Sequence, residues 1–285
     1  MRELRVDAVG KRFGKTVALD SVSFSLEYGK LHALLGRNGA GKSTLLGIAS
    51  NRLLPTSGQV LVDGEPVADN PSALAKVFCV SDVRMYPESM YVDDLLGQMA
   101  CFHKGFDSRA AARFAQAFGL DVKAKVAALS TGYRSICQLV AALATDAPYL
   151  LLDEPVLGLD ANHRELFYKL LLEDYLEKQR TVVVATHLIE EIANLVEQVV
   201  VIDHGRVLLQ SSADDLRSSG YSVSGRTADV EAYCQGLEVL GIEAVGSLSV
   251  AYLMGKPDAA RTGERLDIAP LSLQKLFVEL TDKEG

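Results

Sequence analysis

The chain has 285 residues, 48% apolar and 23% charged, with a formal net charge of −8. That is ordinary globular composition, and its acidic balance gives no support to nucleic-acid binding. Four scattered cysteines, Cys79, Cys101, Cys137 and Cys234, form no CxxC pair, which argues against structural zinc and fits a reducing compartment. No apolar run approaches the ~20 residues of a membrane helix, and MRELRVDAVGKRF lacks a signal-peptide core; the expectation is a chain that does not itself cross a membrane.

Residues 3–9 (ELRVDAV) and 17–26 (VALDSVSFSL) largely alternate apolar and polar side chains, which predicts half-buried strands. LHALLG (31–36) is a continuous apolar run ending in glycine, the pattern of a strand buried on both faces, and GKSTLLGIASNRL then turns helical. SGQVLVDG (57–64) is a short strand closed by a turn, and KVFCVS (76–81) another buried strand. From Val92 to Leu143 the pattern is helical and alanine-rich, with breaks at Gly105 and Gly119. YLLLD (149–153), TVVVAT (181–186) and QVVVID read as strands, 162–178 as a charged amphipathic helix and 188–197 as a further helix. Buried strands alternating with helices predict an α/β domain with a mostly parallel sheet. The first strands and the helical block read as additions to that sheet. After Gly205 the chain keeps its own αβ alternation through FVELT, without internal repeats or low-complexity segments.

GRNGAGKST (36–44) matches G-x-x-x-x-G-K-[ST] between a buried strand and a helix, the context that motif needs. Gly36, Gly39 and Gly41 let the backbone wrap closely, so that N–H groups and the helix N-terminus face an anion. Lys42 is placed to reach β- and γ-phosphates and Ser43 to ligate Mg²⁺. YLLLDEP adds Asp153 at a strand end as a second metal-site residue and Glu154 as the group that polarises attacking water. His187 ends another buried strand, where ligand sites of open parallel sheets lie.

These pieces, in this order, resemble the ATP-binding-cassette (ABC) ATPases over residues 1 to about 210. The resemblance implies a P-loop NTPase (RecA-like) fold: a mostly parallel sheet, an N-terminal antiparallel β subdomain, and a helical subdomain over about 88–145. A small αβ extension over 211–285 would follow. The implied cofactors are ATP and Mg²⁺, held by Gly36, Asn38, Gly39, Ala40, Gly41, Lys42, Ser43 and Thr44. Phe13 falls where the family stacks an aromatic on adenine, though it would serve equally as a small core residue. In LLLDEPVLGLD, Gly158, Leu159 and Asp160 form the D-loop, with Asp160 expected near nucleotide; His187 falls at the switch histidine. Lys42, Glu154 and His187 are the implied catalytic set. The segment ending PLSLQKLFVELT is similar to that of ABC-2-type bacterial exporter ATPases, whose membrane part is a separate chain.

In that family an L-S-G-G-Q segment caps the γ-phosphate of ATP held by the opposite subunit. Here LSTGYR keeps Ser130 and Gly132 but puts Thr131 for a glycine and Tyr133 for the glutamine. If position 131 needed positive φ, threonine would cost about 1–2 kcal/mol. The segment reads as altered but functional, and equally as a Ser-Thr helix cap. Asp82 stands where the family usually has a glutamine that contacts Mg²⁺, and it adds charge beside Asp153 and Glu154. Met85, Met90 and Met99, with Tyr86, Tyr91, Phe102 and Phe106, suit either an adaptable groove for a membrane subunit or plain core. The resulting expectation is the ATPase subunit of an exporter, peripheral on the cytoplasmic face of the membrane, paired with a membrane subunit and a second copy or homologue, without nucleic acid. Two other readings stay open: a soluble ABC-type ATPase of translation or DNA repair, and the weaker half of a heterodimer.

Overall fold

In the computed structural model the described residues are 2–81, 86–258 and 265–282. They fall into two units, residues 1–187 with 198–210, and residues 188–197 with 211–285.

The first unit opens with β1 (Glu3–Phe13) and β2 (Thr16–Glu27), an antiparallel pair whose alternating apolar positions fill one face. The fully buried β3 (Leu31–Leu35) runs through the glycine loop into α1 (Lys42–Ala49). β4 (Ser57–Val62) and the short β5 (Glu65–Pro66) return to the first sheet, of order β2-β1-β4-β5. α2 (Pro71–Leu74), capped by Asn70 with proline at its start, precedes β6 (Val77–Val80). The helical block is α3 (Val92–Phe102), α4 (Ser108–Ala117) and α5 (Thr131–Ala144), broken near the two predicted glycines. Then come β7 (Tyr149–Asp153), α6 (Ala161–Lys178) and β8 (Thr181–Thr186); α7 (Ile189–Ile192) follows in sequence but belongs to the second unit, and β9 (Gln198–Asp203) and β10 (Arg206–Ser212) come next.

The central sheet has the order β10-β9-β3-β8-β7-β6, and β9, β3, β8, β7 and β6 run parallel. Leu150, Leu151 and Leu152 are each 0% exposed, so burial on both faces stabilises this strand by roughly 1.5–3 kcal/mol per side chain. The register brings Leu35 beside Thr186 and Asp153 beside Ala185. The residues that follow these strand ends, Gly36, Glu154 and His187, therefore emerge at one edge of the sheet. At the other end, Arg180 and Lys178 donate to the carbonyls of Ala142, Leu143 and Thr145, closing the C-terminus of α5 with cations balanced by the buried Asp174.

The second unit contains α8 (Ala213–Ser218), β11 (Gly220–Arg226), α9 (Thr227–Cys234), β12 (Val239–Val245), β13 (Leu248–Met254), β14 (Asp267–Pro270) and α10 (Leu273–Asp282). Its antiparallel sheet has the order β12-β13-β11-β14, so β11-α9-β12 is a split βαβ crossover with β13 inserted between its strands. Tyr221, Val223, Val230, Tyr233, Ala251 and Leu253 form its core. One sequence expectation is corrected here. The helix predicted over 188–197 is limited to α7, because Ile192 O accepts the N–H groups of both Leu195 and Val196 and turns the chain. Residues 188–197 group with residues 211–285 as one compact unit.

Candidate functional site

The loop between β3 and α1 is shaped by backbone geometry. Gly41 has φ +111°, and a Cβ there would lie 2.7 Å from Leu19 Cδ2 and 2.8 Å from Ala18 O. Only glycine meets both demands without strain. Gly41 is also the N-cap of α1 and supplies no side-chain cap, so the first N–H groups of the helix stay available to a ligand. Arg37, Asn38, Gly39, Ala40, Gly41, Lys42, Ser43 and Thr44 line an open cleft of about 180 Å³, with Glu154 facing it. Lys42, 5% exposed, donates to Gly36 O at 2.7 Å and lies 3.4 Å from Glu154 Oε1.

Glu154 is the most constrained residue of the site. Its φ of +46° is unusual outside glycine and costs about 1–3 kcal/mol unless its surroundings hold it. They do so: its N–H donates to Ala185 O at 2.8 Å, and its Oε2 accepts from Thr186 Oγ1 at 3.1 Å. His187 Nδ1 lies 3.0 Å from both carboxylate oxygens. Thr186 went unnoticed in the sequence, where only its place directly before His187 pointed to it.

Burial raises the pKa of Asp153 above the ordinary carboxylate value; the Ser43 hydroxyl and the Lys42 and Arg52 charges pull the other way, and Glu154 reinforces the rise. Its Oδ1 is buried without a hydrogen-bond partner. An orphaned carboxylate oxygen, a neighbouring hydroxyl and an open cleft make an all-oxygen set suited to a hard cation that keeps waters and phosphate oxygens as further ligands. Ser43 and Asp153 therefore fit Mg²⁺. Among the described residues no cluster of three or more His, Cys, Asp or Glu ligands exists. Asp82, the third expected metal ligand, lies outside the described residues, as does Met85.

Ser130 is the N-cap of α5, its Oγ accepting from Tyr133 N at 3.3 Å. Thr131 is the first helical residue and is absent from the positive-φ positions, so the strain anticipated for threonine does not arise. Gly132 meets a different constraint: a Cβ there would lie 2.6 Å from Gly158 O, so glycine is what lets α5 abut the D-loop of its own chain. Neither Ser130 nor Gly132 lines the phosphate-loop cleft within a single chain. Asp160 caps α6: Oδ1 accepts from His163 N at 2.9 Å and Oδ2 lies 2.8 Å from His163 Nδ1. Its carboxylate is thus engaged inside the chain, which the expectation of nucleotide contact had not included.

Phe13 is 48% exposed at the end of β1, with the Lys11 ammonium 5.0 Å from its ring centroid; it is a surface aromatic, and the core alternative falls. In the methionine-rich segment Tyr86 lines a second cleft of about 150 Å³ with Leu95, Cys137, Gln138 and Glu154, while Phe102 is 80% exposed and so not core. Arg52 was also missed: it donates to Ser50 Oγ, Ser81 Oγ and Cys79 Sγ, tying the residues after α1 to the end of β6.

A family model described as ABC transporter matches residues 19–157. The ribose import ATP-binding protein of Rubrobacter xylanophilus is 34% identical over 223 residues, covering 74% of this chain and 44% of that protein. The arabinose import ATP-binding protein of Burkholderia pseudomallei is 35% identical over 216 residues, 71% of this chain and 42% of that protein. The chain thus spans less than half the length of these relatives. Both are named for import, so the export expected from the C-terminal segment finds no support in them. Among solved structures, an ATP-binding subunit of an ABC transporter superposes with a TM-score of 0.65 at 25% identity, over 75% of this chain and 91% of that one. A dimeric ATP-binding cassette with ADP and Pi superposes with a TM-score of 0.65 at 24% identity, over 74% and 98% of the two chains, and shows the fold alone.

Proposed function

The chain belongs to the ABC transporter family through its ATP-binding cassette, and from that premise we propose that it binds and hydrolyses Mg·ATP as the motor subunit of a membrane transporter. The observation that carries this is the Lys42–Glu154–Thr186–His187 cluster at the mouth of the phosphate-loop cleft, beside the unpartnered Asp153 Oδ1. A triphosphate entering the cleft takes the Lys42 ammonium away from Gly36 O and Glu154. The Glu154 carboxylate, still held by Thr186 and His187, is then free to orient a water. Bound at Ser43 and Asp153, Mg²⁺ would neutralise charge on the phosphates. The second ring nitrogen of His187 reaches for a γ-phosphate oxygen.

The signature segment does not line the cleft of its own chain, so Ser130 and Gly132 serve a nucleotide held by a second copy. Ser130 offers its hydroxyl and α5 its positive N-terminal end. Two chains close over two ATP molecules, closure moves a separate membrane subunit, and hydrolysis reopens the pair. No described helix is long and apolar enough to cross a membrane. Peripheral attachment at the cytoplasmic face, through that subunit, is part of the proposal. Tyr86, Tyr91 and the exposed Phe102 are offered as part of the docking face.

Export is the direction we favour, on the resemblance of PLSLQKLFVELT to exporter ATPases; the relatives' names favour import. The test is co-purification with a membrane protein, sought first in the neighbouring reading frames, followed by ATP hydrolysis in Mg²⁺ and in EDTA. Mg²⁺-dependent hydrolysis stimulated by that protein supports the reading. Salt-resistant co-sedimentation with ribosomes or DNA, without such stimulation, overturns it. Inverted vesicles that accumulate substrate on ATP addition support export, and vesicles that lose it support import.

A further inference from the structure

Within the first unit, Leu157 and each of the three D-loop residues after it are held by a different contact. Ser135 Oγ donates to Leu157 O at 3.3 Å, Gly158 O abuts Gly132, Arg164 Nε donates to Leu159 O at 2.9 Å, and His163 engages Asp160 through both its backbone N–H and its ring. Two of these contacts come from α5 and two from the first turn of α6. His163 joins the two sets. Its ring meets Tyr133 of α5 edge-on, with centroids 5.8 Å apart and planes at 71°. It stacks on Phe118, 6.3 Å away at 17°, and Phe118 is itself only 1% exposed. Both separations lie in the range that aromatic pairs prefer. Tyr133 occupies the position where the family pattern has glutamine, which offers no ring for such a contact.

We propose that His163, clasped between Tyr133 and Asp160, is a positioning residue that makes the signature segment and the D-loop of one chain move as a single block. The inference rests on the two-copy reading above, in which the signature of each chain meets the nucleotide of the other. In that arrangement, engagement of Ser130 with phosphate shifts α5, and the Tyr133–His163–Asp160 contact carries the shift into residues 157–160. The departure from the signature pattern is thereby accounted for: tyrosine gives up the amide of glutamine and gains a rigid contact to the D-loop. Asp160 consequently acts through His163, and its first duty is inside its own chain.

The test uses the full chain with four variants. His163→Phe keeps the ring and removes the donor; His163→Gln keeps an N–H donor and removes the ring. Tyr133→Leu removes the edge-on ring, and Tyr133→Phe is the conservative control. The readings are ATP affinity by calorimetry, kcat, and the Hill coefficient of hydrolysis in ATP. The expected result is a Hill coefficient that falls from about 2, the limit for two sites, toward about 1 in His163→Phe, His163→Gln and Tyr133→Leu. We expect kcat to fall about tenfold with ATP affinity unchanged, since an interaction formed only in the closed state is what is lost. Tyr133→Phe restores both values. A cooperative wild type whose three variants stay cooperative overturns the inference, and so does a parallel loss of affinity, kcat and melting temperature. A wild type that hydrolyses ATP without any cooperativity overturns the two-copy reading and this inference with it.

Discussion

In the proposed motor the phosphate loop and the signature segment both bring protein close to phosphate, but they are made of different material. The loop is a backbone device: Gly41 holds φ +111° where no Cβ fits, the α1 N-terminus carries no side-chain cap, and Lys42 is nearly buried. The signature is a side-chain device, with a serine cap, a tyrosine ring on His163, and a glycine whose missing Cβ makes room for its own D-loop. Backbone geometry tolerates few alternatives, whereas side-chain contacts can be exchanged for others of similar shape. That difference accounts for a complete motif at 36–44 beside a drifted one at 129–134.

Breaking the backbone device is expected to have the largest effect. Lys42→Ala removes the principal cation from the cleft, and hydrolysis is expected to fall about 10²–10³-fold in a phosphate-release assay. Gly41→Ala forces a Cβ against Ala18 O, and ATP binding measured by calorimetry is expected to weaken along with activity, at a conformational cost of about 1–3 kcal/mol. Gly132→Ala sharpens the contrast, because its Cβ meets Gly158 O rather than the cleft. Hydrolysis is expected to drop about tenfold while ATP affinity stays at the wild-type value.

Ser130→Ala loses the cap of α5 and is expected to lower stability by about 1 kcal/mol, read as a shift in the denaturation midpoint. The smallest effect belongs to a control outside both regions. Asp63 feels burial, which raises its pKa, but the Tyr149 hydroxyl at 2.5 Å and the Lys76 ammonium at 2.9 Å outweigh it and hold the pKa below the usual aspartate value. With the folded pKa depressed, this contribution is present above the ordinary aspartate pKa and is lost as pH falls through the folded value. Tyr149→Phe is expected to remove about 1 kcal/mol at neutral pH and less in acid, with nucleotide affinity unchanged.

What the sequence revealed follows the same division. β3, β7 and β8 were legible because strands buried on both faces read as unbroken apolar runs, and the residues they deliver to the sheet edge sit one position beyond each run. Glu154 and His187 could be named that way, Asp153 as the last residue of its strand, and Lys42 and Ser43 from the glycine-loop motif that follows β3. Thr186 and Arg52 could not, since a hydroxyl on Glu154 and a guanidinium on Ser81 arise from contacts between distant segments. Nor could the true constraint on Gly132, which is a carbonyl of residue 158 and leaves no local trace. At 188–197 the helical pattern overran the structure: apolar spacing continues to Val196, but the chain turns at Ile192. The strand order of the second unit was hidden for a similar reason, because the pairing of β11 with both β13 and β14 is set across long intervals of chain.

The central claim is that nucleotide is shared between the loop of one copy and the signature of another. Sedimentation of Glu154→Gln with saturating ATP and Mg²⁺ tests it most directly, because that variant keeps the phosphate loop and removes the carboxylate proposed to polarise water. The account predicts a dimer holding two ATP molecules that reverts to monomer when Ser130 is also replaced by a bulky residue. A species that stays monomeric at saturating ATP, or a dimer indifferent to position 130, would contradict it.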